Sequence, residues 1–227
     1  MKLPIQEISV SLAIDDLTPA MFNSHQAGAT DIQKLLAKKT KDWHDKERTN
    51  RDRSNISIKF DKIIFSEPIS HKNKIQDSLI SHKVVSYINK FSKINYQKLS
   101  IDFNSYLSFD SKQKLSEFFA RSLIASNPWQ QLPSDKPVAL SLQLRFPYED
   151  GIFTIDIEKT NIYEKNQSFY VVWFVGKFCF VLKNDSNDSR IKQIEQKVKQ
   201  YRTYASQFQK FVAHYFATEL IPLKNNY

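Results

Sequence analysis

Between Val138 and Phe216 the spacing of hydrophobic positions changes from every second residue to every third or fourth. Val138, Leu140, Leu142, Leu144 and Phe146 alternate with Ala139, Ser141, Gln143 and Arg145, the period of a half-buried strand. After a turn at 147–151, Phe153, Ile155 and Ile157 take one phase and Thr154, Asp156 and Glu158 the other, which predicts a second strand. Phe169 to Leu182 (FYVVWFVGKFCFVL) is apolar in both phases. That pattern predicts a strand in the middle of a sheet, covered on both sides. Its Gly176-Lys177 step leaves two readings open, a two-residue hairpin turn or a bulge. Ile191, Ile194, Val198, Tyr201, Ala205, Phe208, Val212 and Tyr215 then follow at helical steps and predict one long helix over 190–216 with a single apolar stripe.

Upstream, Ile8, Val10, Leu12 and Ile14 alternate as a first strand. Ile32, Leu35, Leu36 and Trp43 predict a helix over 31–43. Ile56, Ile58 and Phe60 return to alternation until Asp61-Lys62 breaks the phase, as at a hairpin or a bulge. A helix over 73–91, a strand over 96–109 and a helix over 111–125 follow, the last stopped at Asn127-Pro128. The expected fold class is α+β. A mainly antiparallel sheet, with a β-meander in its C-terminal half, is packed by helices on one face and ends in a long amphipathic C-terminal helix. Residues 1–227 form a single domain, interrupted by a hydrophilic stretch at about 38–54 expected as an exposed, mobile insertion or frayed helix end.

Composition narrows the function classes. With 41% hydrophobic residues, 17 Phe and 10 Tyr, the chain can build a substantial core and is not globally disordered. Its three glycines (Gly28, Gly151 and Gly176) form no phosphate-cradling loop. The single cysteine, Cys179, rules out an internal disulfide and a cysteine-based zinc site, and its apolar strand predicts burial. Residues 1–14 lack the pattern of a signal peptide, and no apolar run reaches transmembrane length. The expectation is a cytoplasmic protein without a membrane contact and without a cofactor. The formal charge of +9 favours a polyanionic partner without requiring one.

The stretches VSLAIDDLTPAMFNS, INYQKLSIDFNSYLSF, NPWQ and FYVVWFVGKFCFVL together resemble an uncharacterised family of bacterial proteins. The similarity covers most of the chain. It implies a single bacterial α+β domain and, since no activity is settled for that family, assigns no catalytic residue.

Three constellations bear on chemistry. Asp102, Asp156, Glu158 and Lys159 evoke a metal-dependent nuclease, in which two carboxylates hold a divalent cation and a lysine polarises water or phosphate. The spacing departs from that pattern, because Lys159 follows Glu158 directly and faces away from both acids on a strand; a solvated polar face is the better reading. None of the five histidines pairs with another at metal-ligand spacing. The basic residues form two sets: Lys192, Lys197, Lys199, Arg202 and Lys210 with Arg190 on the last helix, and Lys38, Lys39, Arg48, Arg51 and Arg53 with Lys34, Lys41 and Lys46 around the hydrophilic stretch. Either set can follow phosphates. Tyr204 and Phe211 fall beside the apolar stripe of the last helix, where surplus aromatics suit a protein interface. The first expectation is therefore a non-enzymatic binding protein. It would be an adaptor or a subunit of a bacterial complex, meeting a protein partner or a second copy through the C-terminal helix and adjoining sheet. The alternative is a nucleic-acid-binding protein using both basic sets; the metal nuclease comes third.

Overall fold

A computed structural model of the protein describes residues 4–15, 29–47, 53–59, 61–69, 75–122, 141–164, 167–183 and 186–216. Among the described residues seven strands form one antiparallel sheet: β1 (Ile5–Asp15), β2 (Asn55–Lys59), β3 (Lys62–Pro68), β4 (Asn95–Phe109), β5 (Ser141–Tyr148), β6 (Gly151–Glu164) and β7 (Gln167–Val181). Their order across the sheet is β2-β3-β1-β4-β7-β6-β5. Among the described residues five α-helices accompany them: α1 (Ala29–Glu47), α2 (Ile80–Lys90), α3 (Lys112–Ser122), α4 (Asn187–Lys199) and α5 (Tyr201–Phe216). The α+β class, the antiparallel sheet and the C-terminal meander are as the periodicity predicts. Among the described residues no helix is long and apolar enough to cross a membrane.

All five helices lie against one face. That face carries Ile8, Val10 and Leu12 of β1, Leu99, Ile101 and Phe103 of β4, and Phe174, Phe178 and Phe180 of β7, each 2% exposed or less. The register aligns them in rows, Val10 beside Ile101 and Ile101 beside Phe178. Burial of each such side chain contributes about 1.5–3 kcal/mol. A buried acid, Glu67 of β3, accepts from Ser78 Oγ at 2.8 Å and from the Leu79 backbone N–H at 3.1 Å. Its charge thus faces the N-terminus of α2, where the helix dipole favours an anion.

Several expectations change. The long C-terminal helix is two helices, broken at Gln200. Gln200 closes α4 through its N–H to the Lys197 and Val198 carbonyls, and its own carbonyl accepts from Thr203 and Tyr204. Tyr201 secures the break, with its hydroxyl 3.0 Å from the Ile75 carbonyl and 3.3 Å from that of Ser78. The hydrophilic stretch is helical through Glu47, because Thr40 and Trp43 continue the buried side begun by Leu36. Thr40 Oγ1 lies 2.8 Å from the Tyr87 hydroxyl, and the Trp43 ring meets that of Tyr87 edge-on. The phase break at Asp61 is a hairpin, with Lys59 paired to Lys62.

Gly176-Lys177 is neither a turn nor a bulge. β7 passes through it with unbroken register to β4 and β6. Gly176 is there because α5 comes so close that an added Cβ would lie 2.4 Å from the Phe208 ring. Nor is β7 covered on both sides by a described element. Its even positions face the helices, whereas Cys179 and Val181 are exposed on the opposite face.

Candidate functional site: the uncovered sheet face

The face away from the helices carries the other phase of every strand. Three of its residues form a charged centre. Lys177 of β7 sits directly between Asp102 of β4 and Thr154 of β6, with Asp156 one alternation along β6. Lys177 Nζ donates to Asp156 Oδ2 at 2.5 Å, and Gln143 Nε2 of β5 donates to Asp156 Oδ1 at 2.6 Å. Burial alone would push the Asp156 carboxyl up, but these two hydrogen bonds outweigh it and hold the group below its ordinary range. Lys177 is likewise held above the ordinary lysine range, because the bond to Asp156 outweighs burial. Asp102 behaves oppositely. Burial raises its pKa despite a hydrogen bond from Ser100 Oγ and the nearby charges of Lys177 and Lys62. Its carboxylate gains less from its neighbours than it loses in hydration.

Apolar groups flank this centre. At one end, Ile152 of β6 pairs with Cys179, and Val181 stands two residues further on the same side of β7. Ile152 is 48% and Val181 69% exposed, the exposed large hydrophobics among the described residues. At the other end, Tyr106 of β4 pairs with Trp173 of β7, their rings stacked at 5.9 Å and both half-buried. Val175 lies between that pair and Lys177.

The acidic set divides. Asp102 and Asp156 share this face, and Glu158 lies beside Trp173, exposed. Lys159 is on the helix face and donates to Ser116 Oγ of α3 at 2.7 Å. Lys177, which linear spacing does not connect with the acids, is the cation that stands on the strand between them. Among the described residues no three His, Cys, Asp or Glu side chains gather as a group that could hold a metal ion. No family model, curated protein or solved structure matches the chain.

The predicted contact residues of the last helices also divide. Lys192, Lys199, Arg202 and Lys210 are exposed. Lys197 is mostly enclosed: its ammonium meets Glu149 at 2.8 Å and Asp150 at 2.6 Å in the β5–β6 turn, 4.5 Å from the Phe180 ring centre. Arg190 is buried and hydrogen-bonds to Asn95 Oδ1 and the Lys183 carbonyl. Arg202 is tied to the Gln76 carbonyl at 2.7 Å. Tyr204 is fully buried against Tyr148 and Phe178, and Phe211 packs on Phe146 and Phe153. These aromatics lie beside the linear stripe because α5 crosses a broad aromatic bed and buries a wider arc than the stripe implies. Lys38, Lys39 and Arg53 are exposed, while Arg48 and Arg51 lie outside the described residues.

Proposed function

We propose that this chain is a non-enzymatic binding protein, an adaptor or a subunit of a larger complex. Its contact surface is the uncovered sheet face along β7 and β6, rather than the outer side of the C-terminal helices. The observation that carries this reading is the two-sided hydrophobicity of β7. Such a strand suits a sheet covered on both faces, yet of its outward positions only Val171 is fully buried; Trp173 and Val175 are half-buried, and Cys179 and Val181 are exposed. Contiguous apolar groups around a polar centre suit a protein partner. The partner covers Ile152, Cys179 and Val181 and leaves the Lys177–Asp156 pair at the middle of the contact. A free exposed thiol with no second cysteine to pair suits a reducing compartment such as the cytoplasm.

The exposed thiol supplies the test. A maleimide photo-crosslinker on Cys179 is expected to give one discrete adduct in cell extract, and none when Ile152→Glu and Val181→Glu are introduced together. An adduct that survives both substitutions overturns the reading. A second reading, nucleic-acid binding, keeps support from the exposed Lys38, Lys39, Lys192 and Lys210.

A further inference from the structure

The far half of the uncovered face has a different chemistry. Lys59 at the end of β2 pairs directly with Lys62 of β3, Lys62 with Ala13 of β1, and Ala13 with Lys98 of β4. Three lysines thus stand in one row across four strands, roughly 14 Å from end to end at the usual strand spacing. All three point away from the helices; Lys59 and Lys98 are exposed and Lys62 is half-buried. Like charges set directly opposite one another destabilise a sheet. Asp61 in the intervening turn and Asp102, which senses the charge of Lys62, are acidic neighbours, but among the described residues no carboxylate lies in ion-pair contact with any of the three. The next row inward holds Ser57, Ile64, Ser11 and Ser100, and the row after it Asn55, Ser66, Ser9 and Asp102. Five of these eight side chains are serines, and Ile64 and Asp102 interrupt the two rows.

We infer that this half of the face binds single-stranded nucleic acid, its phosphodiester backbone following Lys59, Lys62 and Lys98. A single row of cations matches one backbone rather than the two of a duplex. The serine and asparagine side chains of the rows beside it place hydrogen-bonding groups where sugars and base edges would lie, with the Asp102 carboxyl group at the end of the second row, away from β2. Backbone neutralisation by such a row is independent of base sequence, so affinity changes with salt rather than with base composition. The inference rests on the second reading above but assigns it to residues outside both basic sets. At its β4 end the surface adjoins the apolar patch, since Lys98 pairs with Val181 and Ser100 with Cys179, so a protein partner seated on that patch would reach only this end of the row.

The experiment is fluorescence anisotropy of labelled single-stranded oligonucleotides with the full chain, in a salt series. Three neutralised phosphates predict a log–log salt slope of about −2. The variant carrying Lys59→Gln, Lys62→Gln and Lys98→Gln is expected to lose about tenfold or more in affinity, whereas Lys90→Gln with Lys93→Gln, at exposed positions outside the row and both basic sets, leaves it unchanged. In the unmodified chain, bound oligonucleotide is expected to protect the three row lysines from an amine-reactive reagent, read by mass spectrometry. Loss of binding in a variant carrying Lys192→Gln and Lys210→Gln, with the triple row variant unaffected, overturns the assignment while keeping the nucleic-acid reading. Absence of binding at low salt overturns both. Tighter binding to duplex, or preference for anionic vesicles, overturns the single-strand assignment.

Discussion

Gly176 and Asp102 are single residues whose roles depend on what approaches them. A methyl group at Gly176 would meet the Phe208 ring at 2.4 Å. Overpacking of this kind costs about 1–3 kcal/mol. Gly176→Ala is therefore expected to lower the unfolding free energy by that amount, read as a lower urea midpoint, and the further substitution Phe208→Leu to recover part of the loss. Asp102 has a pKa raised by burial. A group that holds its proton more tightly when folded contributes stability below its unfolded pKa, and that contribution is lost as pH rises through the folded value. Asp102→Asn is expected to raise the melting temperature at neutral pH and to leave it unchanged at pH 3, since an amide oxygen can still accept from Ser100. An unchanged or lower melting temperature at pH 7 would mean that the neighbouring lysines stabilise the charge better than burial penalises it.

The break between α4 and α5 is the element on which the helical layer turns. One straight helix would carry α5 away from β7; the kink at Gln200 brings Phe208 over Gly176 and Tyr204 over Phe178. Tyr201 holds that geometry through its hydroxyl and the carbonyls of Ile75 and Ser78. Tyr201→Phe keeps the ring and strands those carbonyls, a loss of about 1–3 kcal/mol. Chemical denaturation should register it, and hydrogen exchange should show the extra opening at residues 75–78 and 200–204 first. Lys197 belongs to the same element. Its ammonium closes the β5–β6 turn, where Glu149 takes a φ of 48°, so its positive charge is committed within the molecule.

At the scale of the whole molecule, one sheet separates two environments. The covered face holds a continuous aromatic and aliphatic core, and the opposite face is apolar on β6 and β7, charged at its centre and lysine-lined toward β2. Surface substitutions away from buried features usually change stability by less than about 0.5 kcal/mol. Ile152→Glu and Val181→Glu should therefore leave the melting curve in place, so that a lost crosslink at Cys179 reports on binding and not on unfolding. A large stability loss in that pair would instead mean that a segment of the chain itself covers the patch.

Strand and helix identity is local information: alternation in β1, β4, β5 and β6 and the stripe from Ile191 to Val212 depend on neighbours a few residues away. The sequence alone therefore determined the α+β class, the meander and most core positions. Strand order and register were not local, and the tertiary structure decided everything that rests on them. Which side of β7 would be covered could not be read from a run that is apolar in both phases, and Cys179, expected to be buried, stands exposed for that reason. Gly176 looked like a turn because the helix that requires it lies some thirty residues away in the chain. Lys59, Lys62 and Lys98 became one row only when β1 came between β3 and β4. The basic stripe on the last helices, conversely, lost Arg190 and Lys197 to internal partners contributed by distant strands and turns.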